Sequence, residues 1–126
     1  QVEALHLINR PPYKLSGGEK RQVILATVLS MNPKVIVLDE PTTGLDPQAR
    51  RNMIRLLKEL PQTKRIATHD MDMALDLCDR VLVLHRGRVV MIGKPQTVFK
   101  NKHLLEECHL ELPLTMQGCQ ICRTEE

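Results

Sequence analysis

An apolar run that ends in two adjacent carboxylates is the feature of this chain best placed to do chemistry. Val35-Ile36-Val37-Leu38 is followed at once by Asp39 and Glu40. A buried strand delivers such residues to the C-terminal edge of a sheet, where α/β folds bind ligands. The plainer alternative is a strand that ends in a solvated acidic turn. Upstream, Ser16-Gly17-Gly18-Glu19 opens a helical pattern. Two glycines there expose backbone amides at the positive end of the helix dipole, and Ser16 adds a hydroxyl, which together suit a phosphate group. Ser16 with Glu19 three residues on is also a capping box, so a simple capped helix explains the same residues. Thr68-His69-Asp70 follows a short apolar segment. Taken alone, His69 says little. Cys119-x-x-Cys122, with Cys108 and His109 upstream, has the ligand types of a soft-metal site at irregular spacing. A reduced, unstructured tail is the alternative there.

These residues need elements to hold them. Val2 to Ile8 reads as the end of an amphipathic helix, broken by Arg10-Pro11-Pro12. A helix is expected from Ser16 to Met31. Val35 to Leu38 is expected to be a parallel strand buried on both faces. Asp46-Pro47 is an N-cap followed by proline at the first helical position. Ala49, Met53, Leu56, Leu57 and Leu60 then make one apolar stripe. Lys64 to Thr68 reads as a strand, and Asp70 caps a helix running to about Asp79. On that helix Met71, Ala74, Leu75 and Cys78 share an apolar face, which makes Cys78 a buried, inert thiol. Val81 to Leu84 and Arg88 to Ile92 flank the turn signal Arg86-Gly87. Lys94 to Leu105 reads as two short helical pieces, and Met73 as core. Strands alternating with helices argue an α/β domain with a mostly parallel sheet, ending in a β-hairpin and short helices.

Composition narrows the function further. The 126 residues fit one domain at most. Eighteen Lys and Arg against 15 Asp and Glu leave a dispersed net charge of +3, which gives no case for nucleic-acid binding. No apolar run approaches the roughly 20 residues that span a bilayer. No signal peptide opens the chain, so a soluble protein in a reducing compartment is expected, with any membrane role supplied by a partner.

Taken in order, Leu15-Ser16-Gly17-Gly18-Glu19, Val35 to Pro41, Gly44-Leu45-Asp46 and Thr68-His69-Asp70 resemble the C-terminal half of an ATP-binding cassette (ABC) transporter ATPase. The resemblance covers roughly residues 5 to 113, and it departs from the usual pattern at Glu19, which replaces Gln, and at Arg21-Gln22. It implies the C-terminal part of a P-loop NTPase fold. Asp39 would hold Mg2+ through water, and Glu40 would be the general base for the water that attacks ATP. Ser16, Gly17, Gly18 and Glu19 would contact the γ-phosphate of ATP held by a second ATPase subunit. Asp46 would lie in the loop that crosses the dimer interface, and His69 would be the switch histidine that bonds the γ-phosphate.

Arg10-Pro11-Pro12, Thr68 to Asp72 with Cys78-Asp79-Arg80, and Gly93 to Phe99 are most similar to the ATPases of energy-coupling-factor and cobalt/nickel importers. Such subunits sit on the cytoplasmic face of the membrane, docked on integral-membrane partners. A soluble ABC protein outside transport, or a non-catalytic metal-binding remnant using the cysteine tail, are the competing readings.

The phosphate-binding Gly-x-x-x-x-Gly-Lys-Ser/Thr loop does not occur in the sequence. The expectation is therefore a partial ATPase domain at 1–113 that is inactive alone, followed by a disordered tail at 114–126. In the parent fold the strand leading to that loop lies between the strands at 64–68 and 81–84, so the sheet is expected to be open in its middle.

Overall fold

The computed structural model describes residues 5–118, which divide into two compact units on either side of the Thr68–His69 boundary.

In the first unit a 3-10 turn at Leu5–Leu7 is closed by Arg10 N–H on the Leu7 carbonyl at 2.9 Å. Of the helix end expected at Val2 to Ile8, residues 2–4 lie outside the described residues and the rest forms this turn. A second 3-10 turn, Pro12–Lys14, leads into helix α1, Gly17–Ser30, with Ser16 as N-cap. Both halves of the capping box form: Ser16 N–H donates to Glu19 Oε2 at 2.8 Å, and Glu19 N–H to Ser16 Oγ at 3.2 Å. Strand β1, Val35–Asp39, pairs in parallel with β2, Thr63–Ala67, in the register Val35 to Thr63 through Asp39 to Ala67.

Between the strands runs helix α2, Pro47–Glu59, which buries Met53, Ile54 and Leu57, with Leu60 following. The expected stripe omitted Ile54, which is buried beside Met53. It included Leu56, which is only half-buried.

β1 departs from the expectation of burial on both faces. Ile36 is buried, while Val37 is 76% exposed and Val35 half-exposed. The strand alternates because only one face is covered, as in a two-sided pleat with a single packing partner.

The second unit begins at His69. Helix α3, Met71–Leu77, is capped by Asp70, whose carboxylate accepts from Met73 N–H at 2.9 Å. Strands β3, Val81–His85, and β4, Arg88–Gly93, form an antiparallel hairpin with a bulge near Val83 and Leu84. Arg86 and Gly87 have φ of 47° and 74°. Positive φ at both central residues is the mark of a type I′ turn, whose twist suits a two-residue hairpin.

Helices α4, Pro95–Lys100, and α5, Lys102–Glu107, share Asn101, which ends the first and caps the second through Leu104 N–H. Val98, Phe99, Leu104 and Leu105 bury against Ala74 and Val83. Met71, Leu75 and Cys78 pack at the margin of this core, and Met73 is fully buried. Cys78 is thus half-buried, and burial first, with the Asp79 charge second, pushes its thiol pKa up.

The fold is α/β, with a parallel strand pair flanked by helices and the expected C-terminal antiparallel hairpin. Among the described residues β2 pairs with β1 alone and β3 with β4 alone, so the two sheets share no strand. Such unpaired edges carry unsatisfied backbone groups.

Ordered structure also continues past Pro113. Leu114–Met116 is a 3-10 turn held by Asp72, which accepts from Leu114 N–H and Thr115 N–H at 3.0 Å and from Thr115 Oγ1 at 2.9 Å. Burial disfavours the Asp72 carboxylate, but these three hydrogen bonds together outweigh it and hold its pKa below the usual value. A depressed carboxyl stabilises the docked turn fully above the free-chain pKa of about 3.9, and that contribution is lost as pH falls through the lower folded value. The Thr115 amide resonance is therefore expected to stay constant from neutral pH to about 4 and to move only below it. A transition centred above the ordinary carboxylate range would contradict the clasp.

Candidate functional site

The candidate residues of the first unit come from three places: the start of α1, the end of β1 with its following turn, and the start of α2. A glycine fixes how closely the helices approach. A Cβ on Gly18 would stand 3.2 Å from the Ala49 Cβ and 3.8 Å from Leu45 Cδ2, whereas Gly17 has nothing within 4 Å. Gly18 thus lets the first turns of α1 and α2 touch, while Gly17 leaves open space over the α1 amides. Between these turns lies a cleft of about 240 Å3, lined by Ser16, Gly18, Glu19, Gln22, Leu45, Asp46, Gln48, Ala49, Asn52 and Met53. Ser16 and Asp46, distant in sequence, face one depression.

Two of these lining groups carry charge. Glu19 accepts from Arg10 Nη1 at 2.8 Å. Its pKa is lowered by the Ser16 backbone and side-chain hydrogen bonds, which outweigh desolvation, with the Arg10 charge a lesser contribution in the same direction. Asp46 accepts from Gln48 N–H and Ala49 N–H, each at 2.9 Å, as a cap should. Both carboxylates are therefore engaged with donors.

The end of β1 is more constrained. Asp39 is exposed at the strand's C-terminal edge. Glu40 leaves the strand with φ of 44°, a left-handed conformation that a non-glycine residue seldom adopts. Its N–H donates to the Ala67 carbonyl at 2.9 Å, which extends the pairing with β2 by one residue. Its carboxylate Oε2 accepts from Thr43 Oγ1 at 3.0 Å and from Thr68 Oγ1 at 3.2 Å. The turn beyond is closed by Thr43 N–H on the Glu40 carbonyl and Leu45 N–H on the Thr42 carbonyl, both 3.3 Å, with Gly44 at φ of 72° and Thr42 buried. Arg21 reaches from α1 to the same turn, donating to the carbonyls of Glu40 at 3.1 Å and Pro41 at 2.6 Å.

Nothing in the sequence pattern pointed to Arg21, Thr43 or Thr68 as supports of Glu40. The first lies a helical turn beyond the glycines, and the two hydroxyls meet only after β1 and β2 pair. Thr68 immediately precedes His69, and that adjacency was the one available hint.

His69 is exposed and begins the second unit. Asp39 offers the hard oxygen donor that Mg2+ prefers, and Mg2+ keeps most of its ligands as water or phosphate, so a single carboxylate fits that ion. Among the described residues no group of three or more His, Cys, Asp or Glu side chains could hold a metal. Cys119 and Cys122 lie outside the described residues. Cys108 is half-buried against the second core, and the rings of His85 and His109 lie 6.3 Å apart. No described helix is long and apolar enough to cross a membrane.

Known proteins resemble this chain along most of its length. The family model for the ABC transporter matches residues 1–43. A provisionally named ABC transporter ATP-binding protein of Geobacter sulfurreducens is 57% identical over 97% of the chain and 49% of its own length. The energy-coupling factor transporter ATP-binding protein EcfA2 of Clostridium perfringens is 46% identical over 86% of the chain and 39% of its own. The solved structure of cbiO1 from Clostridium perfringens, part of the ABC transporter complex cbiONQ, superposes with a TM-score of 0.70 at 45% identity, covering 86% of this chain and 45% of that one. The chain spans at most about half the length of these relatives.

Proposed function

The chain belongs to the ABC transporter ATPase family, and from that premise we propose that it is the C-terminal half of a cassette that hydrolyses ATP to power an importer of the energy-coupling-factor or cobalt/nickel type. What carries the reading is the arrangement inside the first unit. A carboxylate at the end of β1 is fixed by two hydroxyls. In the same body, two helix N-termini open on one cleft.

In this reading Glu40 takes a proton from the attacking water as negative charge grows on the transferred phosphoryl group. Thr43 and Thr68 keep its oxygen aimed. Asp39 would hold Mg2+ through water, and the bound ion would supply charge neutralisation at the phosphates. Ser16 and the amides at Gly17 and Gly18 receive the γ-phosphate of ATP bound to a second ATPase subunit, with Glu19 neutralised by Arg10 so that it does not repel the anion. Asp46 shapes the dimer contact, and His69 donates to the γ-phosphate. The partners are a second ATPase and integral-membrane subunits, with the protein peripheral on the cytoplasmic face. Nucleic acid is not among them.

The test is phosphate release from ATP and Mg2+. The 126-residue chain alone is expected to give none above background, since no phosphate loop is in its sequence and such a loop supplies most nucleotide contacts. Joined to the phosphate-loop half of a relative, it is expected to turn over at about 1 s⁻¹ or faster, the range of working enzymes. Turnover by the chain alone, or none by the joined protein, would sink the proposal.

A further inference from the structure

Arg21 reaches Glu40 from a different element than the two hydroxyls do, and through the main chain. It sits on α1 four residues after Gly17, yet its guanidinium leaves the helix and donates to two successive main-chain carbonyls, of Glu40 at 3.1 Å and Pro41 at 2.6 Å. These carbonyls belong to the residue whose φ is 44° and to the one that follows it. A left-handed residue is held only where its surroundings over-determine it. The Glu40 N–H is fixed by the Ala67 carbonyl, and the carboxylate by Thr43 and Thr68. The Glu40 carbonyl also accepts from Thr43 N–H, but at 3.3 Å, a long bond. On that side Arg21 adds a charge-assisted contact to the Glu40 carbonyl at 3.1 Å and a short one to the Pro41 carbonyl at 2.6 Å.

We propose that Arg21 is a positioning residue for Glu40: it ties the Glu40-Pro41 peptide to α1 and so sets the direction of the carboxylate. This rests on the reading of Glu40 as the base. The partners of Arg21 are main-chain carbonyls of the turn, so its effect runs through the turn. It also makes the α1 start, where phosphate is received, and the base on β1 parts of one rigid unit. Both contacts come from Nη1 alone, so a Lys ammonium, with three donors on one nitrogen, can take over part of the tie.

Two measurements test this. In the 126-residue chain, Arg21→Ala is expected to speed amide exchange at Thr43 about tenfold through local opening of the turn. Leu25, deeper in α1, is expected to keep its rate, and Arg21→Lys to fall between. Unchanged exchange at Thr43, or equal acceleration at Leu25, overturns the clamp.

In the joined cassette, Arg21→Ala is expected to lower kcat about ten- to a hundredfold while KM for ATP stays within about threefold, because a misdirected base affects the transition state and not ground-state binding. Arg21→Lys should recover part of the loss. A raised KM with unchanged kcat overturns the positioning role. If the unaltered cassette fails to turn over, Glu40 loses its role as base and Arg21 its catalytic consequence, while the exchange result still decides the clamp by itself.

Discussion

Glu40→Gln in a cassette containing this chain is expected to abolish turnover while leaving ATP bound. The substitution keeps the size of the side chain and an oxygen that can accept from Thr43 Oγ1 and Thr68 Oγ1, which now hold the carboxylate at 3.0 and 3.2 Å. The main-chain bonds from Glu40 N–H to Ala67 and from Arg21 to the Glu40 carbonyl do not involve the side chain at all. The fold therefore has no reason to change. What disappears is the negative charge and the proton acceptor. General-base catalysis contributes about a hundred- to ten-thousandfold, so kcat should drop by that factor with little change in nucleotide affinity. Single-turnover phosphate release beside equilibrium ATP binding separates the two. A variant that hydrolyses at the original rate would show that Glu40 is not the base.

Ser16→Arg should damage hydrolysis in a neighbouring subunit's site more than in its own. Ser16 Oγ accepts from Glu19 N–H, and losing that cap costs about 1 kcal/mol of helix stability. The other half of the capping box, Ser16 N–H to Glu19 Oε2 at 2.8 Å, uses the backbone and survives. So the helix persists. The larger effect is steric. Ser16 lines the cleft between α1 and α2, and an arginine there would fill the space over the amides that the bare Gly17 leaves open. Mixed dimers pairing a Ser16→Arg subunit with one disabled at Glu40 give the measurement. In such a dimer both defects fall in a single composite site and the other site stays intact; with both changes in one subunit beside an unaltered partner, each site carries one defect. Equal residual activity in the two would contradict a cross-subunit role.

The start of α1 was readable from sequence because a capping box is a local device, complete within four residues. The same holds for Asp46 before Pro47 and for the Arg86-Gly87 turn. Burial of β1 was misread. A continuous apolar run is indifferent to whether one face or both are covered, and Val37 is exposed because coverage depends on other elements and not on the run itself. The clasp between Asp72 and Thr115 was invisible for a related reason. It joins residues 43 apart in the chain, and neither is unusual in its neighbourhood. Likewise the supports of Glu40 come from α1, from its own turn and from the end of β2. The motif named the carboxylate, while its aim is a product of strand pairing.

The backbone at Glu40 carries one more consequence. A left-handed conformation costs an ordinary side chain about 1–2 kcal/mol relative to glycine, which alone enters it freely. At φ of 44°, the sequence that would fold most comfortably has glycine at this position and no carboxylate. Thermostability and reactivity thus make opposite demands on a single codon. Screening variants for resistance to heat alone would drive this position toward an inert protein, and keeping the acid there requires selection on turnover.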